Sequence, residues 1–138
     1  MTPLGGVASR IARRDPVCND RIVGLTLLIV DDHSGFRARV RALLESEGFE
    51  VVGEAGDGEA ALVEIGRLHP DVVLLDVQLP GIDGLEVARR VTADGGAAQV
   101  VLTSSRDARD LGPLLESGAR GFIPKAELSG DGIRGLLR

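Results

Sequence analysis

The stretch that most constrains the fold is the apolar run Val-Val-Leu-Leu at residues 72–75, which ends in Asp76. Four branched apolar residues without a polar break are typical of a strand buried on both faces, as in a parallel sheet covered by helices. Pro80, Gly81 and Gly84 follow and indicate a loop. Asp76 is therefore predicted at the C-terminal end of a central strand, where open α/β sheets bind their ligands. Taken alone, the pattern is equally typical of a strand-ending Asp that caps a turn.

The same kind of apolar run predicts four further strands, at Leu25–Val30, Phe49–Glu54, Gln99–Thr103 and Gly121–Ile123. Between them, helices are predicted at Ser34–Glu47, from Asp57 to His69, at about Gly84–Thr92, within Asp107–Ser117 and at roughly Ser129–Arg138. Strands that alternate with helices are joined by right-handed crossovers. The predicted fold class is therefore α/β, a doubly wound parallel sheet with helices on both faces.

The first predicted helix carries a more specific expectation about its buried face. Its apolar residues recur at helical spacing and should all face the core: Phe36, Val40, Leu43 and Leu44.

Length and composition bound the possible functions. The 138 residues fit one domain, and a formal net charge of −5 gives no indication of a nucleic-acid surface. The single cysteine, Cys18, excludes an internal disulfide framework, and no apolar run is long enough to span a membrane. We expect a cytoplasmic protein with no membrane contact, in which residues 1–24 form a flexible extension and residues 25–138 the domain.

Polar residues collect where the predicted strands end. Asp31 and Asp32 follow the first strand, Asp76 ends the third, Thr103 ends the fourth, and Lys125, the only lysine, follows the fifth. In a parallel sheet these ends share one edge, and carboxylates that meet there repel each other unless a divalent cation such as Mg²⁺ joins them. A lysine and a hydroxyl suit phosphoryl oxygens, and Asp76 is then the natural nucleophile.

Four segments together resemble the receiver domain of two-component response regulators, and are most similar to receivers that precede a LuxR-type helix-turn-helix. They are Leu28–His33, Asp76–Gly84, Val101–Ser104 and Gly118–Lys125. The resemblance covers about residues 25–138. It implies the flavodoxin-like (CheY-like) fold with five parallel strands in the order 2-1-3-4-5. It also implies a phosphorelay protein that a sensor histidine kinase phosphorylates on Asp76.

The resemblance implies a set of metal ligands as well. Asp32 and Asp76 would bind Mg²⁺ directly together with the backbone carbonyl of Gln78, and Asp31 would act mostly through water. The chain would be a phosphoacceptor switch that assists its own phosphorylation and dephosphorylation, not an enzyme with an external substrate.

The resemblance further assigns the phosphoryl contacts and the switch. Thr103 and Lys125 would contact the phosphoryl group, and Thr103 and Phe122 would change conformation with phosphorylation. Because the chain stops at Arg138, we expect no output domain and no direct DNA binding. The expected downstream partner is an unidentified protein effector.

Besides the expected absence of an output domain, three departures from the family pattern matter. Ala126 stands where many members have proline after the lysine, so we expect a trans peptide bond there. Phe122 lacks the hydroxyl of the common tyrosine. Pro113 is tolerated only in a first turn, which predicts a short helix from about Gly112, a mobile loop over residues 104–110 and weak dimerisation through that face.

Three other functions share features with this sequence. A receiver-like interaction module that never takes up phosphate is the main alternative. A haloacid-dehalogenase-type phosphatase would need a second Asp where Gln78 stands. The glycines of residues 53–58 do not have dinucleotide-binding spacing and predict a turn before a helix.

For His33, a surface position at a helix start is favoured over a role as catalytic base.

Overall fold

A parallel sheet forms the centre of the molecule. The structure, a computed structural model, describes residues 24–93, 97–105 and 116–137. Within these residues the sheet has five strands: β1 Thr26–Val30, β2 Glu50–Ala55, β3 Val72–Asp76, β4 Gln99–Ser104 and β5 Gly121–Pro124. Their order is β2-β1-β3-β4-β5 and all pairs are parallel. The predicted fold and strand order are confirmed.

Helices cover both faces of this sheet: α1 Ser34–Ser46, α2 Gly58–Leu68, α3 Gly84–Ala93 and α4 Gly130–Leu137, with a short 3-10 helix at Lys125–Glu127. Apolar residues of α2 and α3 pack on one face, and those of α1 and α4 pack on the other. No helix in the described part of the chain is long and apolar enough to cross a membrane. The extension predicted at residues 1–24 falls outside the described residues except for Gly24, and so does the helix predicted from Gly112 except for Glu116 and Ser117. Of the loop predicted over residues 104–110, Ser104 belongs instead to β4.

The central strand β3 explains why both faces must be covered. All five of its residues are buried. Because side chains alternate along a strand, Val73 and Leu75 pack with α2 and α3, while Val72 and Leu74 pack with α1 and α4. Burial of each such side chain stabilises the fold by about 1.5–3 kcal/mol. The apolar run therefore requires the two helical layers that the sequence predicts.

The burial predicted for one residue of α1 was wrong. Leu43 is 36% exposed, whereas Val40 and Leu44 in the same helix are 4% and 0% exposed. At 3.6 residues per turn, Leu43 lies about 60° from Val40, on the side opposite to Leu44. The buried stripe of α1 is therefore narrower than the apolar spacing suggests, and Leu43 lies at its outer margin.

The strand register aligns the residues that follow each strand. Val30 of β1 pairs with Leu75 of β3, so Asp31 and Asp76 are the next residues on neighbouring strands. Asp76 in turn pairs with Thr103 of β4. The last pair, Ser104 with Pro124, places Lys125 immediately after the end of β5. The C-terminal ends of the strands, called the carboxyl edge below, thus bring the predicted site residues together.

Candidate functional site

Asp76 lies at the C-terminal end of β3, as predicted, and is 4% exposed. Its Oδ1 accepts a hydrogen bond from the Gln78 amide at 3.0 Å, and its Oδ2 accepts one from Lys125 Nζ at 3.1 Å. The first bond is the turn-capping contact of an aspartate two residues ahead. The second is a charge-assisted bond to a residue far along the chain. The carboxylate therefore caps its turn and also pairs with the Lys125 ammonium group.

A glycine makes room for this arrangement. The Gly84 amide donates to the Val77 carbonyl at 2.9 Å and closes the loop after β3. A Cβ atom at position 84 would collide with the Asp76 carbonyl oxygen and would lie 2.8 Å from Val77 Cα. Only glycine permits so close an approach of α3 to the end of β3. The loop that carries the Asp76 side chain depends on this contact.

The acidic pair after β1 divides into one buried and one exposed carboxylate. The Asp31 side chain is 1% exposed and that of Asp32 is 38% exposed. Asp31 Oδ1 accepts from the His33 amide at 2.8 Å, and Asp31 Oδ2 lies 2.5 Å from Lys125 Nζ. The Arg37 guanidinium donates to the Asp31 carbonyl oxygen and ties this turn to α1. Asp31 and Asp76 thus contact the same ammonium group, which the sequence alone did not establish.

Lys125 is the cation that joins the cluster. Its ammonium group contacts Asp31 and Asp76 and lies 4.3 Å from the centre of the Phe36 ring, a cation–π distance. Burial disfavours the charged amine, but the hydrogen bonds to Asp31 and Asp76 outweigh burial and raise the pKa of Lys125. Lys125 therefore stays protonated.

No cis peptide bond occurs among the described residues, so the expected trans bond before Ala126 is confirmed.

The two buried carboxyl groups differ in acidity. Burial raises the pKa of Asp76 above its usual value, and the opposing bonds from Gln78 and Lys125 do not cancel this effect. Burial also disfavours the Asp31 carboxylate, but Lys125 and the His33 amide overcome it, and the pKa of Asp31 is lowered. Asp31 is thus the firmly ionised partner of Lys125. The Asp76 carboxylate is more basic than that of Asp31, which suits a nucleophile.

The Thr103 hydroxyl lies on the same edge but points elsewhere. Thr103 is 1% exposed, and its Oγ1 donates to the Ile123 carbonyl of β5 at 2.7 Å. Phe122 is half-buried and packs against the core on the α2 and α3 face. The phosphoryl contact of Thr103 and the switching role of Phe122 stay predictions.

The donor set at the carboxyl edge fits a divalent cation. Ligand atoms of Asp31, Asp32 and His33 lie within 4.8 Å of one another. Asp76 adds a third carboxylate, which contacts the same ammonium group as Asp31. Three carboxylates against one ammonium leave two negative charges in excess, the charge that one divalent ion neutralises. Carboxylate oxygens are the ligands that Mg²⁺ prefers.

Sequence reasoning missed two contributors. His33 was assigned to the surface, and it is 71% exposed, yet its Nδ1 lies 3.0 Å from Asp32 Oδ1. Phe36 was assigned to the core, yet its ring faces the Lys125 ammonium group. The run Asp31-Asp32-His33 was the available signal for the histidine, because it places three potential ligands side by side. Nothing in the sequence marks the Phe36 contact.

Residues 27–133 match the family model of the response regulator receiver domain. The nitrate/nitrite response regulator protein NarP of Escherichia coli K12 is 43% identical over 101 residues, which are 72% of this chain and 47% of NarP. The chain spans less than half the length of the curated relatives it matches, for example 44% of the DNA-binding response regulator MtrA of Mycolicibacterium paratuberculosis.

Solved structures give the same result for the fold. The signal receiver domain of the response regulator NarL from Mycobacterium tuberculosis superposes with a TM-score of 0.75 at 38% identity, over 83% of this chain and 94% of that one. A chain of the CheX-CheY-BeF₃-Mg²⁺ complex from Borrelia burgdorferi superposes with a TM-score of 0.74 at 26% identity, over 87% of this chain and 91% of that one.

Proposed function

This chain belongs to the response regulator receiver domain family, and on that premise we propose that it accepts a phosphoryl group on Asp76 from a sensor histidine kinase. The observation that carries the proposal is the hydrogen bond of 3.1 Å between Asp76 Oδ2 and Lys125 Nζ. The buried Asp76 carboxylate can act as a nucleophile at the end of its strand. The protonated lysine beside it can stabilise the negative charge of the incoming phosphoryl oxygens.

The proposed transfer follows from the side chains at the carboxyl edge. An Asp76 carboxylate oxygen attacks phosphorus, a P–O bond forms, and the P–N bond to the kinase imidazole breaks. The imidazole nitrogen leaves with the electron pair and takes up a proton from solvent. Lys125 Nζ then exchanges part of its contact with Asp76 for a phosphoryl oxygen, while Asp31 keeps the ammonium group in position.

The residues at this edge also fit Mg²⁺, which would be held by Asp31, Asp32, Asp76 and the Gln78 carbonyl. When bound, the ion supplies positive charge to the phosphoryl oxygens. The related CheX-CheY complex contains BeF₃ and Mg²⁺, which supports a Mg²⁺ site in this chain.

The proposed signal is a rearrangement of β4 and β5. Thr103 gives up its hydrogen bond to the Ile123 carbonyl and turns its hydroxyl to the phosphoryl group, and Phe122 follows into the space that this movement opens. The altered surface is then read by a protein effector. In this scheme the chain is a phosphoacceptor that assists its own phosphorylation and hydrolysis, rather than an enzyme that turns over an external substrate.

The acid, hydroxyl and lysine set favours this function over a receiver-like module that never takes up phosphate. It also argues against a dehalogenase-type phosphatase, because Gln78 offers no general acid and its side chain is exposed.

Incubation with acetyl phosphate and Mg²⁺, followed by intact-mass analysis, tests the proposal. Wild type should gain one phosphoryl group, and Asp76→Asn should gain none, because an amide is not a nucleophile here. Asp83→Asn is the matched control: the side chain of this exposed loop residue accepts from the Glu86 amide at 2.9 Å, a cap that asparagine also makes. Labelling of Asp76→Asn at the wild-type level would refute the assignment.

A further inference from the structure

His33 is held against the two carboxylates that precede it. Its Nδ1 lies 3.2 Å from Asp31 Oδ1 and 3.0 Å from Asp32 Oδ1. The ring makes no capping hydrogen bond to α1, although His33 occupies the N-cap position. Its ring nitrogen is therefore directed to the acidic pair and not to the helix that follows.

These distances match the spacing of ligands around one cation. Metal–nitrogen and metal–oxygen bonds of about 2.1 Å at right angles place neighbouring ligand atoms roughly 3 Å apart. The two nitrogen–oxygen distances are 3.2 and 3.0 Å. The nitrogen and both carboxylates could bind the same ion with little movement of their side chains.

The two oxygens of Asp31 face different partners. Lys125 contacts Asp31 through Oδ2, so Oδ1 remains directed to His33. Each oxygen of Asp31 thus has a separate role, one with the ammonium group and one on the side of the imidazole and Asp32.

We propose that His33 Nδ1 is a ligand of the divalent cation at the carboxyl edge and gives the site a preference for first-row transition ions such as Mn²⁺ over Mg²⁺. Imidazole nitrogen suits transition ions, whereas Mg²⁺ takes oxygen ligands almost exclusively. The inference rests on the proposed cation site and adds a ligand and a metal selectivity to it.

Pulsed electron paramagnetic resonance of the Mn²⁺-loaded chain tests the ligand directly, because a coordinated imidazole nitrogen couples to the Mn²⁺ spin. The chain has only two histidines, which makes the assignment simple. Wild type should show imidazole nitrogen coupling that changes its pattern when the histidines are labelled with ¹⁵N. His33→Ala should lose the coupling. His69→Asn should keep it, because His69 is at the far end of α2 and asparagine tolerates its left-handed backbone at φ 49°.

Affinity provides the second measurement. His33→Ala should weaken Mn²⁺ binding by about tenfold or more and Mg²⁺ binding by less than about threefold. Mn²⁺ binding without imidazole coupling, or coupling that survives His33→Ala, would overturn the inference and leave the cation site intact. No Mn²⁺ binding by wild type would overturn both, whereas the acetyl phosphate experiment judges Asp76 independently. If His33→Ala does not fold, the ¹⁵N comparison in His69→Asn, in which His33 is the remaining histidine, still decides the matter.

Discussion

The Thr103 hydroxyl donates a hydrogen bond of 2.7 Å to the Ile123 carbonyl, across β4 and β5, and is thereby directed away from Asp76. The bond is fully buried, so it contributes to the stability of this state. The proposed switch requires that it break when a phosphoryl group arrives. The proposed switch therefore gives Thr103 a second partner, the phosphoryl group, in place of the Ile123 carbonyl.

The first prediction concerns this bond. Thr103→Val keeps the shape of the side chain but leaves the Ile123 carbonyl without its partner, so stability should fall by about 1–2 kcal/mol. The amide spectrum around Phe122 should no longer respond to beryllofluoride with Mg²⁺. Thr103→Ser keeps the hydroxyl and should respond like wild type. A full response of Thr103→Val in nuclear magnetic resonance would contradict the proposed switch.

The second prediction concerns the cation. Mg²⁺ should raise the melting temperature of wild type, since a ligand at a hundredfold excess over its Kd stabilises the native state by about 2.7 kcal/mol. Asp32→Ala should lose most of this gain, and without Mg²⁺ it should be as stable as wild type or more so, because one repelling carboxylate is gone. Asp131→Ala, whose side chain is 98% exposed on α4, serves as the control. An equal Mg²⁺ effect in Asp32→Ala and wild type would exclude Asp32 as a ligand.

The third prediction concerns pH and a second ionic cluster. Glu54 Oε1 lies 2.9 Å from Arg37 Nε, and its Oε2 lies 2.9 Å from Arg41 Nη1. Burial disfavours the Glu54 carboxylate, but the bonds from Arg41 and Arg37 outweigh burial and hold its pKa below the usual 4.5. A lowered pKa means that the ion pairs stabilise the fold above pH 4.5 and that this contribution is lost as the pH falls through the lowered pKa.

Glu54→Gln should therefore lose about 1 kcal/mol of unfolding free energy at neutral pH. The difference from wild type should shrink as denaturant titrations are repeated at decreasing pH, from about 6 to about 3. Glu127→Gln, at an exposed position of the 3-10 helix, provides the control. A difference that stays constant across this range would mean that the ion pairs do not stabilise the fold.

The fourth prediction concerns the loop after β3. Gly84→Ala forces a Cβ atom against the Asp76 carbonyl, and because both contacts are backbone atoms the loop must shift. Stability should fall by about 2 kcal/mol or more, and labelling by acetyl phosphate should slow. Gly66→Ala in α2 is the matched control, since its Cβ would meet no atom within 4 Å, and it should gain up to about 1 kcal/mol. Unchanged labelling of Gly84→Ala would show that the loop does not position the nucleophile.

The sequence by itself was sufficient for the sheet and for the residues on its carboxyl edge. Apolar runs and helical spacing fix which segments are strands and helices, and parallel pairing then places Asp31, Asp76, Thr103 and Lys125 on one edge without further information. These are local patterns combined with a topological rule, so single-sequence reasoning reaches them. The family resemblance supplied the order of the strands.

Only the tertiary structure decided which side chains touch. Lys125 and Asp76 are 49 positions apart, and their contact depends on the register of three strand pairs as well as on side-chain rotamers. The direction of the Thr103 hydroxyl and the contact of His33 with two carboxylates depend likewise on neighbours that sequence spacing does not specify. Leu43 is the converse case, because its spacing is right for the core and packing leaves it exposed. All groups within reach of a side chain compete to be its partner. These groups come within reach only once the helices and strands have packed.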